Sequence, residues 1–148
     1  MEASEAILVL LSVFIMGIVL LLGVPGLLGY RWTFLMSGSM IPTINRGELV
    51  LLQPLQNASN IKIGDIVVFQ MGDEIICHRV ISINGSMVTT KGDSLRSTVE
   101  TFPASLIKYK AVKLGENIVK IPLLPILVIF LILLLVAVSM HELSVALD

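Results

Sequence analysis

The chain has 148 residues and a formal net charge of −1; 55% of its residues are apolar and 14% are charged. This length allows one small domain together with membrane segments, and the apolar excess lies outside the usual range of soluble proteins. The single cysteine, Cys77, excludes an internal disulfide bond. Because the chain also has only two histidines, we expect neither a metal site nor a cofactor.

The first apolar segment covers residues 6–30 and has no charged side chain across its 25 residues. A helix needs roughly 20 apolar residues to cross a bilayer core, so this segment predicts an N-terminal transmembrane anchor. A cleavable signal peptide is the alternative. Signal peptides begin with basic residues and have apolar runs of about 7–15 residues. This segment instead follows Glu2 and Glu5 and is longer, so we expect the anchor to be retained.

Residues 31–120 lie between the apolar segments and are predicted to form a β-rich domain. Short runs rich in valine and isoleucine are bounded by Gly, Asp, Asn and Pro, which is typical of strands. Turn sequences at Gly72-Asp73 and Asn84-Gly85 predict two β-hairpins. The predicted strands fall within residues 47–54, 64–71, 74–84, 86–93 and 107–114. Such a pattern indicates a small antiparallel sheet or barrel.

The charges of the chain are concentrated in this middle segment. It contains all ten basic side chains and seven of the acidic ones, a net charge of +3. This mixture gives no basic surface of the kind that binds nucleic acid, so we expect no nucleic-acid partner. The positive-inside rule is reliable only for loops shorter than about 60 residues, and charge alone therefore leaves the side of the membrane open.

The second apolar segment, residues 121–140, has no charged side chain across 20 residues and is predicted to be a transmembrane helix. Pro122 and Pro125 stand at its start, where the missing N–H groups cost least. Residues 141–148 are expected to form a short tail. The predicted fold is therefore mainly β, with a small antiparallel domain between two membrane helices.

Three side chains of the middle segment supply the groups required for acyl transfer by a serine. Ser39 lies nine residues beyond Tyr30, His78 stands in an apolar strand, and Asp93 follows Gly92 in a turn. A serine hydroxyl needs an adjacent base, and that base needs a carboxylate to orient it. His78 could equally be a structural histidine, and Asp93 a turn former. Lys91 is a rival base, although its ammonium group would need strong desolvation to lose a proton.

Four blocks of this segment resemble, in order, the conserved boxes of type I signal peptidases, the membrane-bound serine proteases of protein secretion. They are "SGSMIPTINRGELVLL", "IKIGDIVVFQ", "CHRVISING" and "TKGDS". The resemblance implies a signal peptidase fold and a serine endopeptidase (hydrolase) that removes N-terminal signal peptides from exported preproteins after small residues.

The third block selects a branch of the family. Bacterial-type enzymes have a lysine base directly before an Arg-Val-like pair, whereas this chain has His78 before Arg79 and Val80. It is thus similar to the archaeal and endoplasmic-reticulum branch, which uses serine and histidine. The C-terminal membrane helix also fits archaeal members.

The resemblance implies that Ser39 is the nucleophile, His78 the base and Asp93 the aspartate of the Gly-Asp turn. Many members of this branch have a second aspartate six or seven positions further along, and here Glu100 stands at one of those positions. Either Glu100 or Asp93 could therefore complete the site. Gly38 allows close backbone approach, so the Ser39 N–H and the Ser37 hydroxyl are candidate oxyanion donors.

The expected partners are secretory preproteins and the lipid bilayer, with possible association with the protein translocation machinery. The expected location is the cell membrane, multi-pass, with the catalytic domain on the extracytoplasmic side, or the endoplasmic reticulum membrane if the source is eukaryotic. One alternative is a catalytically inactive scaffold of the same family that binds signal peptides. Another is an unrelated channel or transporter subunit, which the lack of ionisable residues within both apolar segments disfavours.

Overall fold

The computed structural model describes residues 3–147, and the chain divides into two compact units. The helices α1 (Ala3–Leu27) and α2 (Leu123–Leu147) form one unit, and Gly29–Ile121 form the other. Both helices are long and apolar enough to cross a membrane, over Ile7–Leu27 and Leu123–Met140. The prediction of a mainly β protein with an apolar helix at each end is confirmed.

Details of the helices differ from the sequence prediction. α1 ends at Leu27, within the segment that was predicted to be apolar through Tyr30, and Pro25 and Gly26 lie in its last turn. α2 continues through Leu147, across the segment that we expected to be a short tail, and Asp148 lies outside the described residues. Within the helical unit, the rings of Phe14 and Phe130 stack with their centroids 3.6 Å apart.

The β unit is built on an eight-stranded sheet, and the six neighbouring pairs along its main strand order are antiparallel. Seven strands follow the order β1-β2-β7-β3-β4-β5-β6, and β10 pairs with β2. The short strands β8 and β9 form a separate hairpin. The strand bounds are β1 Arg31–Phe34, β2 Glu48–Pro54, β3 Ile66–Met71, β4 Glu74–Asn84, β5 Met87–Lys91, β6 Val99–Pro103, β7 Ile107–Ala111, β8 Lys113–Leu114, β9 Asn117–Ile118 and β10 Lys120–Pro122.

The two predicted hairpins are confirmed. Met71 pairs with Glu74 across the first turn, and Asn84 pairs with Met87 across the second. Gly85 has a φ of +57°, a conformation that glycine adopts without steric cost. Three strands of the sheet, β1, β6 and β10, were not predicted.

Apolar side chains are buried on both faces of the central strand β3. Ile66 and Val68 pack into one cluster, and Val67 and Phe69 into a second. The first cluster also contains Met40 and Ile44, both fully buried, from the loop that follows β1. Full burial of such a side chain contributes about 1.5–3 kcal/mol, so the core holds this loop against the sheet.

Polar contacts hold the far end of the same loop. The Lys120 ammonium group donates to the Thr43 carbonyl oxygen at 2.7 Å and to the buried Glu48 carboxylate at 2.8 Å. The backbone N–H of Asn45 donates to the same carboxylate. Burial acts to raise the pKa of Glu48, but these bonds outweigh it and hold the pKa below its usual 4.5. The loop that contains Ser39 is therefore fixed at both ends.

Candidate active site

A cleft of about 490 Å³ opens on the β unit next to the loop that follows β1. Its walls come from residues 33–37 on one side and from residues 74–78 of β4 on the other. Ser39, His78 and Glu100 all line this cleft, together with Val68 and Thr98. The fold thus brings three of the four predicted catalytic side chains, which are far apart in sequence, to one cavity.

Ser39 lies in the loop between β1 and β2, directly before the buried Met40. Its hydroxyl oxygen is 3.1 Å from that of Ser37, so the two candidate oxyanion residues lie side by side. The Ser39 carbonyl oxygen accepts a hydrogen bond from the Ser94 N–H at 2.8 Å. This bond connects the serine loop to the loop between β5 and β6.

Gly92 marks the closest approach of these two loops. A methyl group at this position would lie 2.5 Å from the Ser39 carbonyl oxygen and would also overlap the Ser97 hydroxyl. Real side chains do not tolerate such contacts with backbone atoms. Glycine is therefore required here because the backbone of the Ser39 loop occupies the space.

His78 is buried on β4, and Glu100 reaches it from β6 across the intervening strand β5. The His78 Nδ1 atom is 2.7 Å from Glu100 Oε2. Glu100 pairs with Thr90 of β5, and Thr90 pairs in turn with Val80 of β4. Neighbouring strands are about 4.8 Å apart, and β5 lies between the two residues. The side chain of glutamate, which is longer than that of aspartate, reaches across β5 to His78.

The Glu100 carboxylate is charged and closely surrounded by donors. Burial acts to raise its pKa, but hydrogen bonds from Thr98, His78 and Thr90 outweigh burial and hold the pKa below the usual 4.5. Thr98 forms a very short hydrogen bond to Oε1. A charged carboxylate accepts the Nδ1 proton, which leaves Nε2 of His78 as the proton acceptor.

The Nε2 atom of His78 is contacted by the Ser97 hydroxyl at 3.4 Å. Because Nε2 is the unprotonated nitrogen of this tautomer, the Ser97 hydroxyl is the donor. At this distance the bond is weak. The nitrogen that a serine nucleophile requires is therefore already in contact with a hydroxyl group in the free protein.

Comparison with known proteins shows the family of the chain. Residues 6–116, more than half of the chain, match the family model described as signal peptidase, peptidase S26. The chain belongs to the signal peptidase family. A curated relative, signal peptidase I W of Bacillus subtilis (strain 168), is 30% identical over a match of 88 residues that covers 56% of this chain and 46% of the relative. The chain thus spans about half the length of the curated relative it matches.

Asp93, the fourth predicted catalytic residue of this signal peptidase family member, faces Arg79 instead of lining the cleft. The two oxygens of its carboxylate accept from Nε and an Nη atom of Arg79 at 2.8 and 2.7 Å. Burial acts to raise the pKa of Asp93, but the bonds from Arg79 and Thr43 outweigh it and keep the pKa below its usual value. Lys91, the rival base, does not line the cleft either.

Three hydroxyl side chains around His78 and Glu100 were not identified from the sequence. Thr90, Ser97 and Thr98 bond to one or the other of these two residues. The only available signal was the run of polar residues before Glu100, which is also typical of a surface loop.

Cys77 also lines the cleft, but burial, with a smaller contribution from Asp93, raises the pKa of its thiol to about 12, so it remains protonated.

Proposed function

We propose that this chain is a membrane-anchored serine endopeptidase that cleaves signal peptides from exported preproteins after small residues. Ser39 is the nucleophile, His78 the general base, and Glu100 the carboxylate that orients it. The observation that carries the proposal is the 2.7 Å bond between His78 Nδ1 and Glu100 Oε2 in a cleft that Ser39 also lines. The histidine in place of a lysine favours the archaeal and endoplasmic-reticulum branch of the family.

The geometry supports a conventional acyl-transfer sequence. Ser39 Oγ attacks the carbonyl carbon of the scissile bond while its proton passes to His78 Nε2. Glu100 stabilises the imidazolium that forms, without itself taking the proton. His78 then donates the proton to the departing amine, and water hydrolyses the acyl-enzyme by the same steps in reverse. Before the attack, the weak hydrogen bond from Ser97 to Nε2 must break so that Ser39 can donate to Nε2 instead.

Two donors are suited to the oxyanion of the tetrahedral intermediate. They are the Ser39 N–H and the Ser37 hydroxyl, which lies 3.1 Å from Ser39 Oγ. Loss of one such donor typically costs about 2.7–4 kcal/mol of barrier. We assign Asp93 a structural role, because Arg79 occupies both of its oxygens.

The substrate is proposed to bind in an extended form along β1. This strand stands at one end of the sheet order, with β2 as its partner among the described strands, so its other edge is free to pair with a peptide. Residues 33–37, which comprise the end of β1 and the residues that follow it, line the cleft. Buried apolar side chains, including Leu35 and Val68, form part of the cleft wall, which favours small substrate side chains.

We further propose that α1 and α2 both cross the membrane and that the β unit lies on the extracytoplasmic side, where signal peptides emerge from the translocation machinery. A nucleophile close behind a membrane helix suits a substrate whose cleavage site directly follows its own apolar helix. Protease accessibility of the β unit in sealed vesicles of known orientation tests the topology.

The activity is tested with the full chain purified in detergent and incubated with a secretory preprotein. We expect a shortened product whose new N-terminus follows a small residue. Ser39→Ala and His78→Ala should abolish the product, whereas Ser59→Ala, in an exposed turn away from the cleft, should not. Full activity of either cleft variant would refute the assignment. Preprotein binding without any product, even at high protein concentration, would instead establish the inactive scaffold.

A further inference from the structure

A second cavity, of about 370 Å³, adjoins the cleft. The two cavities share Thr33, Val68 and Ile75 as lining residues. The second cavity is built from the start of β1, from β7, and from the hairpin that joins β3 to β4. It contains none of the side chains assigned to catalysis.

The charge of this cavity is positive. Arg31 and Lys108 line it, and no carboxylate does. Among the described residues, the salt bridges of the β unit involve Arg79, Lys110, Lys113 and Lys120 and the histidine of the cleft, but neither Arg31 nor Lys108. Two exposed cations that have no ion-pair partner among the described residues therefore line one cavity.

An aromatic ring contacts one of the two cationic groups. The guanidinium carbon of Arg31 lies 5.5 Å from the centre of the Tyr109 ring, within the range of a cation–π contact. Trp32 lines the same cavity, and Ile75 at its rim is 75% exposed. Tryptophan and tyrosine beside basic residues are the side chains that concentrate at the headgroup layer of a membrane.

The position of Arg31 in the chain connects this cavity to the bilayer surface. Arg31 is the fourth residue after Leu27, the last residue of the first candidate membrane span. Four residues extend at most about 14 Å, and the polar headgroup regions occupy about 5–8 Å on each side of the apolar core. The Arg31 backbone therefore lies within about 14 Å of the apolar core when α1 spans the membrane, in or close to the headgroup layer.

We propose that this cavity, formed with Arg31 and Lys108, binds the phosphodiester headgroup of an anionic membrane lipid. The positive charge selects an anion, and the adjacent apolar and aromatic side chains suit a ligand that is part of a lipid surface. The covalent tether to α1 favours a lipid over a soluble anion or an acidic segment of a protein. This site goes beyond the proposed peptidase activity and does not depend on it.

Trp32 is the only tryptophan of the chain, so its fluorescence reports on this cavity directly. Full-length Ser39→Ala protein in a non-ionic detergent is titrated with short-chain phosphatidylglycerol and, separately, with short-chain phosphatidylcholine. We expect a saturable change in emission with the anionic lipid at concentrations at which the zwitterionic lipid has no effect. A basic side chain near an anionic lipid surface contributes about a fivefold gain in affinity.

Lys108→Gln should therefore weaken phosphatidylglycerol binding about fivefold, and Lys108→Gln combined with Arg31→Gln should weaken it about 25-fold. Arg31→Lys, which keeps the charge, and Lys62→Gln, an exposed lysine outside the cavity, should bind as the parent does. Equal responses to both lipids, or an unchanged double variant, would overturn the proposal. So would an equal response to inorganic phosphate or a response to an acidic peptide alone. Because Ser39→Ala is the parent throughout, these results are independent of whether the protein cleaves preproteins.

Discussion

Replacing Glu100 with glutamine tests which carboxylate orients His78. The substitution keeps the size of the side chain but removes its charge and adds an NH₂ group next to Nδ1. The bond it alters is short, 2.7 Å, and the carboxylate is largely buried. If the amide nitrogen faces Nδ1, the histidine must carry its proton on Nε2 and can no longer accept the proton of Ser39.

The expected loss of kcat can be worked from this contact. A hydrogen bond to a charged group contributes about 1.5–3 kcal/mol, which corresponds to about 10- to 150-fold in rate. The wrong tautomer adds to this loss, and the equivalent change in a Ser-His-Asp triad reduces kcat about 10⁴-fold. We therefore expect Glu100→Gln to lower kcat by about 10²- to 10⁴-fold while substrate binding changes little.

The assay is preprotein cleavage by the detergent-solubilised chain, with kcat and KM determined separately. Asp93→Asn is the matched control, because Asp93 is also a partly buried carboxylate but pairs with Arg79. It should lower thermal stability while kcat falls less than tenfold. The reverse pattern, with Asp93→Asn inactive and Glu100→Gln close to the parent, would refute the assignment of Glu100.

Three further predictions follow from the same site. Ser97→Ala removes a weak bond to Nε2 that must break before Ser39 attacks, so kcat should stay the same or rise by no more than about 13-fold; complete inactivation, together with an active Ser39→Ala, would instead make Ser97 the nucleophile. Gly92→Ala should displace the Ser39 loop and lower kcat more than 100-fold while stability falls by about 3 kcal/mol or less, whereas Gly17→Ala in α1 meets no neighbouring atom within 4 Å and should be silent in the same cleavage assay. The pKa of Glu100 is lowered in the folded state, so its contribution to stability is complete above its unfolded value of about 4.5 and is lost as pH falls through the folded value. The thermal stability of Glu100→Gln, followed by Trp32 fluorescence, should therefore depend less on acid pH than that of the parent. An unchanged pH dependence would contradict this.

The sequence alone was sufficient for the features that depend on local pattern. Uninterrupted apolar runs predicted both membrane helices. A helix needs roughly 20 apolar residues to cross a bilayer core, and few other structures need so long an apolar run. Turn residues such as Gly85 marked the hairpins, because only a few residue types adopt the required backbone conformation. The resemblance of the four blocks indicated the family, which the comparisons confirm. The roles of Ser39 and His78 stay predictions.

The tertiary structure was needed for contacts between distant strands. Strand β6 was not predicted because Glu100 stands at a position that faces inward. An apolar side chain there would have completed, with Phe102, the alternation of apolar and polar residues that marks a strand. Spacing along the chain could not choose between Asp93 and Glu100, because strand pairing and side-chain length together decide which carboxylate reaches His78. The cation-lined cavity at Arg31 likewise exists only when β1, β7 and the hairpin joining β3 to β4 are folded together. Local sequence thus determines which elements form, and long-range pairing determines which of their side chains meet.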